Sequence, residues 1–225
     1  MATKTARTKV PGQITCEADI ASGMRALRRA CRFARQMHDV AGTPPVRVNQ
    51  PGFEGLARII VGQQLSVASA GAIWARCQER LQPFTPDRIV RARETTMRAA
   101  GLSAGKVRTL KAAAKAARTG DLILEPTADA RDDEIVDSLV AVTGIGPWTA
   151  DIYLMFALGR PDAFAPGDLA LQIGAQYGFA LDERPSPEEL TEIVEGWRPW
   201  RGVGARLLWH YYAAVKQQKT EVIPV

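Results

Sequence analysis

The run of residues with the most distinctive chemical potential is LVAVTGIGPWTAD, Leu139–Asp151. One predicted helix ends at its two glycines, Gly144 and Gly146, and the next helix begins at Pro147. Glycine tolerates unusual backbone dihedrals and lets bare amides reach the surface, and amides at the start of a helix attract an anion. The pattern therefore predicts a site for a phosphate of a nucleic-acid backbone, or else only a tight turn between two helices.

A second stretch, APGDLAL (Ala165–Leu171), contains a carboxylate, Asp168, directly before the predicted helix Leu169–Tyr177. An aspartate at this position can cap the helix by accepting a hydrogen bond from a backbone N–H. Capping makes the side chain rigid, so the capping role and a role in chemistry are compatible. Asp168 is therefore both a candidate cap and a candidate functional acid.

The elements that must position these stretches are helices. Apolar residues recur every three or four positions, strand patterns are scarce, and Gly, Pro and Asp mark short loops. This periodicity predicts an all-α protein of about eight to ten helices. The predicted helices are a first helix with the apolar stripe Ile20, Met24, Leu27 and Cys31; a long helix Phe53–Leu81 that the polar pair Gln63–Gln64 can break; a helix from Pro86 to near Gly101; one capped by Ser103; Asp132–Val142; Pro147–Gly159; Leu169–Tyr177; one capped by Ser186; and Pro199–Gln217.

The charge balance favours an anionic partner. The 225 residues include 29 Lys and Arg against 24 Asp and Glu, a net charge of +5, and nucleic acid is the commonest partner of such a chain. Six cations and no acid lie between Arg98 and Arg118, which fits either a binding face or a solvated helix face. Residues 1–15 are interpreted as a basic flexible arm before a helical domain over residues 16–225.

Cysteine usage and hydropathy exclude several classes of protein. The three cysteines, Cys16, Cys31 and Cys77, have no CxxC spacing and no paired histidine, which argues against a zinc site, a disulfide framework or an iron–sulfur cluster. This usage fits a reducing, cytosolic compartment. There is neither a secretory signal nor an apolar run of membrane-spanning length.

Five ordered motifs together resemble the helix-hairpin-helix DNA glycosylase superfamily, and within it the alkylbase branch of 3-methyladenine DNA glycosylase II. The resemblance implies a two-lobed helical domain with a basic cleft, in a compact form without an N-terminal α/β domain. It also implies a cytoplasmic, nucleoid-associated monomer that binds double-stranded DNA with damaged bases and no membrane. The motifs are IIVGQQLS (Ile59–Ser66), GLSAGK (Gly101–Lys106), the glycine hairpin of Leu139–Asp151, APGDLAL (Ala165–Leu171) and WRPWR (Trp197–Arg201).

The resemblance assigns catalysis to Asp168, whose carboxylate would stabilise the oxocarbenium-like sugar that forms as an N-glycosidic bond breaks. Members of the superfamily with lyase activity have a lysine nucleophile where this chain has Trp148, so a monofunctional hydrolase is expected. The flipped base must be held by aromatic stacking. Trp209 is the first candidate for this role, and Trp148, Trp200 and Tyr153 are further candidates that could instead be core residues.

The DNA contacts implied by the resemblance lie at several places. Gln64 would fill the gap that the flipped base leaves, while Arg201 would either brace Asp168 or contact a phosphate. The backbone carbonyls of Val140, Val142 and Ile145 would bind a monovalent cation, and no other cofactor is expected. The remaining predicted DNA contacts are Gly144, Gly146, Thr149 and Lys106.

The expected activity is excision of alkylated purines, 3-methyladenine and 7-methylguanine, in base excision repair. Two alternatives stay open from the sequence. One is a DNA-binding protein that kept the hairpin and lost turnover, and the other is a glycosylase for oxidised or deaminated bases.

Overall fold

The computed structural model describes residues 12–127 and 130–221, and in these ranges the regular structure is entirely helical. The predicted all-α fold is thereby confirmed. None of the described helices is long and apolar enough to cross a membrane. Twelve α-helices occur in the described ranges: α1 Glu17–Ala30, α2 Arg32–Ala41, α3 Phe53–Gly62, α4 Val67–Leu81, α5 Pro86–Arg91, α6 Glu94–Ala99, α7 Ala104–Thr119, α8 Asp132–Val140, α9 Pro147–Ile152, α10 Leu169–Gly178, α11 Pro187–Ile193 and α12 Arg201–Glu221.

The chain forms two compact units, of which the first joins the two ends of the sequence, Met1–Val48 and Gly159–Val225. In this unit α12 packs against α10, α2 and α1. The backbones of α10 and α12 approach closely at Gly174, where a Cβ atom would lie only 2.8 Å from the Leu208 carbonyl oxygen. This close approach fixes the N-terminal end of α10, and with it Asp168, relative to the middle of α12.

The second unit is continuous, Asn49–Leu158, and contains α3 to α9. The buried face of α7 packs against α3, α5 and α6. Tyr153 ties the unit together, because its buried hydroxyl accepts a hydrogen bond from the Gly52 N–H at 2.9 Å and donates to the Leu124 carbonyl at 2.7 Å.

Several predicted helix ends are confirmed by their caps. The side chains of Thr85, Ser103 and Ser186 each accept a hydrogen bond from a backbone N–H at the start of a helix. The predicted break in the long helix is also confirmed, since α3 ends at Gly62 and α4 begins at Val67.

Other boundaries were wrong. The first helix ends at Ala30, because Cys31 has an extended backbone, and the helix that follows it, α2, was not predicted. The segment after Thr85 divides at Ala92 into α5 and α6. The helix expected to run to Gly159 changes after Ile152 into a π-helical turn, Tyr153–Ala157. Most of the predicted basic arm lies outside the described residues. Its last part is not an arm, because Ile14 is fully buried and donates its N–H to the Gly159 carbonyl.

Candidate active site

The Asp168 carboxylate is held at the start of α10 by two donors. Its Oδ1 accepts a hydrogen bond from the Leu171 N–H at 3.0 Å and another from the indole Nε1–H of Trp209, also at 3.0 Å. The predicted capping role is thus confirmed. Two N–H groups from different helices fix the direction of one half-buried carboxylate, which is the geometry expected of an acid that must meet a defined point on a substrate.

Trp209 therefore contacts the candidate catalytic group directly, a relation that the sequence did not reveal. Its ring is half-buried, and it follows Leu208, the residue whose carbonyl lies against Gly174. The close packing of α10 on α12 brings the indole N–H to hydrogen-bond distance of the carboxylate. Whether the ring also stacks on a base stays a prediction.

Arg201 does not show the predicted contact with Asp168. Its guanidinium makes a two-pronged ion pair with Asp162, in which Nε lies 3.0 Å from Oδ1 and Nη2 lies 2.8 Å from Oδ2. Arg198 pairs with the same carboxylate. The Arg201 side chain is only 13% exposed, so the paired fork fixes the loop before Asp168 onto α12 and has a structural role.

Trp200, another predicted base-contacting residue, packs on α1. A Cβ atom on Gly23 would lie 2.9 Å from its ring, so the glycine makes room for the half-buried indole. Trp209 thus has a hydrogen bond to the candidate catalytic acid, whereas Trp200 packs against Gly23 of α1.

In the second unit the glycine hairpin is tightly specified at one of its two glycines. Gly144 has φ +89°, and a Cβ atom there would overlap Thr109 Oγ1 and lie 3.0 Å from Thr109 Cβ. Gly146 has an ordinary φ of −105° and caps α9. A Cβ atom on Gly146 would meet no protein atom within 4 Å. The fold therefore requires a glycine at 144 and imposes no such requirement at 146.

Two predicted contact residues of this unit are interior residues. Thr149 is 2% exposed, and its hydroxyl accepts a hydrogen bond from the Gln63 side chain at 2.9 Å. Tyr153 is fully buried with its hydroxyl bound to Gly52 and Leu124. Both side chains support the fold. Tyr153 has no exposed face to offer to a base, whereas the predicted contact of Thr149 with DNA stays a prediction.

The predicted plug, Gln64, is displayed on the surface in an unusual conformation. It is exposed and has φ +55°, a region that residues other than glycine rarely adopt. Backbone strain at an exposed loop residue such as Gln64 is common at functional sites. Trp148, the other predicted contact residue near the hairpin, lies at the start of α9 and is half-buried.

Lys106 is directed inward rather than toward solvent. Its Nζ donates a hydrogen bond at 2.6 Å to the carbonyl oxygen of Val61, in the last turn of α3. Burial lowers the pKa of its ammonium group. One of the three hydrogens of the ammonium group is used in this bond, and the contact with DNA predicted for Lys106 stays a prediction.

The predicted cation ligands lie in the hairpin, where the Val142 carbonyl accepts a hydrogen bond from the Ile145 N–H at 3.0 Å. A carbonyl oxygen has a second lone pair, so this bond is compatible with an ion contact, and the cation site at Val140, Val142 and Ile145 stays a prediction. Within residues 12–127 and 130–221 there is no group of three or more His, Cys, Asp or Glu side chains that could hold a metal.

Comparison with known proteins shows the family of this chain. The model of the HhH-GPD superfamily base excision DNA repair proteins matches residues 57–199, and the chain belongs to this superfamily.

Its relatives include DNA-3-methyladenine glycosylase 1 of Schizosaccharomyces pombe, 32% identical over 161 residues that cover 70% of this chain and 71% of the relative. DNA-3-methyladenine glycosylase 2 of Escherichia coli is 28% identical over 172 residues, covering 70% of this chain and 57% of the relative. Among solved structures, the 3-methyladenine DNA glycosylase Mag1 of Schizosaccharomyces pombe in complex with abasic DNA has a TM-score of 0.78 and 27% identity. That alignment covers 84% of this chain and 95% of Mag1.

Proposed function

We propose that this chain is a monofunctional DNA glycosylase that removes alkylated purines, 3-methyladenine and 7-methylguanine, by hydrolysis of the N-glycosidic bond in base excision repair. The observation that carries the proposal is the Asp168 carboxylate, which is oriented by the Leu171 and Trp209 N–H groups. Membership of a base excision repair superfamily and similarity to two 3-methyladenine glycosylases support the substrate class.

Asp168 acts by electrostatic stabilisation. Breaking the bond between sugar and base builds positive charge on the sugar, and a fixed carboxylate beside C1′ lowers the energy of that state. Because a purine alkylated at a ring nitrogen already carries positive charge, it leaves without a strong general acid. The carboxylate also orients the water that attacks the sugar.

Hydrolysis rather than lyase chemistry follows from the residue at the start of α9. A lyase of this superfamily needs an amine to form a Schiff base, and the corresponding position is Trp148. The product of this chain would be an intact strand with an abasic site.

The second unit contributes the grip on DNA. The amides around Gly144 and Gly146 bind a backbone phosphate, and the space that surrounds Gly146 allows the phosphate a close approach. Gln64 enters the duplex and fills the gap left by the extruded nucleotide, while its amide can hydrogen-bond the orphaned base. An electron-rich indole, Trp209 or Trp148, favours a cationic alkylated base over a neutral one.

The test is base release from duplex DNA containing 7-methylguanine by the wild type and by Asp168→Asn. Asparagine can keep Oδ1 as the acceptor for the Leu171 and Trp209 N–H groups, and it removes the negative charge by replacing the other carboxylate oxygen with an NH2 group. We expect duplex binding within about two-fold of wild type and a loss of at least about 10²-fold in single-turnover rate, the size typical for removal of one group that stabilises transition-state charge.

Asp182→Asn is the matched control, because Asp182 is an exposed acid of the same unit and its replacement changes the net charge by the same amount. It should release base at the wild-type rate. Equal rates for Asp168→Asn and the wild type would refute the catalytic assignment, and release of no methylated base by the wild type would refute the proposed function.

A further inference from the structure

A single side chain, Gln63, connects the loop between α3 and α4 to the glycine hairpin. Its Nε2 lies 2.9 Å from Thr149 Oγ1 and 3.3 Å from the Gly144 carbonyl oxygen. These partners are 86 and 81 residues away in sequence. Two segments that are distant along the chain are thereby held together by one amide group.

The chemistry of the partners fixes which end of the amide faces the hairpin. A backbone carbonyl can only accept a hydrogen bond, so the NH2 group of Gln63 must point toward Gly144. An NH2 group has two hydrogens, and one goes to each partner. Neither leucine, which has no donor, nor an ionised glutamate, which only accepts, can reproduce this pair of bonds.

Each end of this connection is fixed by its own surroundings. On the hairpin side, Gly144 lies against Thr109, with no room for a Cβ atom between them. On the loop side, the Leu65 N–H donates to the Gly62 carbonyl at 3.2 Å, and Ser66 caps α4 by accepting from the Ser69 N–H.

Gln64 lies between Gln63 and Leu65, is exposed and has φ +55°. A left-handed backbone is unfavourable for any residue that has a side chain. It persists where the neighbouring residues determine the path of the backbone. Gln63 on one side and Leu65 and Ser66 on the other do so here. The side chain of Gln64 is therefore displayed at a set distance from the hairpin backbone.

We infer that Gln63 is a positioning residue that couples the plug, Gln64, to the phosphate-binding hairpin, so that both engage DNA in one fixed register. The inference rests on the proposed function, because it takes Gln64 to enter the duplex and the hairpin to bind a phosphate. Once the hairpin has bound the backbone, the plug already faces one nucleotide and needs no separate ordering, which lowers the entropic cost of insertion. A shift of about 1 Å in such a device can cost about 10²-fold in rate.

The experiment compares wild type with Gln63→Leu, which keeps the size of the side chain and removes both hydrogen bonds. Single-turnover release of 7-methylguanine from duplex DNA should slow by about ten-fold or more. A 2-aminopurine placed beside the lesion should show a smaller rise in fluorescence on binding, because less of the base is extruded. Affinity for undamaged duplex should change by less than about two-fold, because the hairpin amides remain.

A second pair of variants tests the same hydrogen bond from its other end. Thr149→Val has nearly the shape of threonine without the hydroxyl, and Thr149→Ser retains the hydroxyl. Valine should reproduce the slow release and weak extrusion of Gln63→Leu, whereas serine should remain close to wild type. This pair decides the matter even if Gln63→Leu does not fold.

Epistasis with the plug separates positioning from a general structural effect. If Gln63 acts through Gln64, Gln63→Leu should cost nothing further in a Gln64→Ala background. An equal cost in both backgrounds, or unchanged release in Gln63→Leu and Thr149→Val, would overturn the inference. Should the wild type release no methylated base, the proposed function fails, and the same non-additivity measured on the affinity for abasic-site duplex still decides the coupling.

Discussion

Replacement of Gly144 by alanine tests how tightly the fold specifies the hairpin. At φ +89° an alanine is strained by about 1–2 kcal/mol relative to glycine. Its Cβ would also overlap Thr109 Oγ1 and lie 3.0 Å from Thr109 Cβ. Because Thr109 is buried at 6% exposure, it cannot swing into solvent, and inserting an extra methyl group into a packed site costs about 1–3 kcal/mol.

These two effects together predict that Gly144→Ala lowers the free energy of unfolding by about 2–5 kcal/mol. For a protein of this size the melting temperature should then fall by about 4–20 °C. Gly146→Ala is the matched control, since position 146 has an ordinary backbone and a Cβ there meets no protein atom within 4 Å. It should lose less than about 1 kcal/mol.

Chemical unfolding followed by far-UV circular dichroism measures both variants. Thr109→Ala in the Gly144→Ala background removes the clashing hydroxyl but leaves the Thr109 Cβ position occupied, so it should recover only part of the loss. If Gly144→Ala proved as stable as Gly146→Ala, the steric argument for the hairpin glycine would be refuted.

Two further predictions concern the first unit. Trp209→Phe keeps an aromatic ring and removes the N–H that binds Asp168, so single-turnover release should slow by about ten-fold, consistent with loss of one hydrogen bond to a charged group; an unchanged rate would show that this bond does not matter. The other prediction concerns His38, whose pKa is lowered by burial and by the Arg28 guanidinium. Its Nδ1 lies 2.9 Å from Arg28 Nη1, and its Nε2 lies 2.9 Å from Thr43 Oγ1. Because the folded state then binds fewer protons than the unfolded state, the contribution of neutral His38 to the free energy of unfolding is complete above about pH 6.5. It declines as the pH falls through that value. His38→Asn should flatten the pH dependence of the melting temperature between about pH 7.5 and 5.5, and an equal slope in both proteins would contradict the assignment.

The features that sequence predicted best are those set by neighbouring residues. A helix cap needs only a hydroxyl or carboxylate and the backbone two or three positions later, so Thr85, Ser103, Asp168 and Ser186 all cap their predicted helices. The break after α3 was equally local, because polar glutamines interrupt an apolar run.

Side-chain partners that lie far apart in sequence could not be predicted in this way. The sequence placed Arg201 either beside Asp168 or on a phosphate, and only the packing of the loop on α12 determines that it pairs with Asp162 and, at 3.7 Å, with Glu195. Gln63 and Thr149 are 86 residues apart, and their hydrogen bond exists only because α3 and α9 pack in the same unit. The sequence proposed a contact with DNA for Thr149 and gave no sign that its hydroxyl would bind Gln63.

The contact between Trp209 and Asp168 gives this tryptophan a second role beside the stacking on a base that the sequence predicted. An indole donates its hydrogen bond from the ring edge and stacks through the ring face. Binding to the carboxylate and stacking on an extruded base are therefore geometrically compatible. A tryptophan that performs both would link recognition to catalysis, because a base that displaced the ring would also disturb the carboxylate that promotes its departure. Phenylalanine, which keeps a face and lacks the donor, separates the two roles as no other natural aromatic substitution does, since tyrosine and histidine would bring polar groups of their own to the carboxylate.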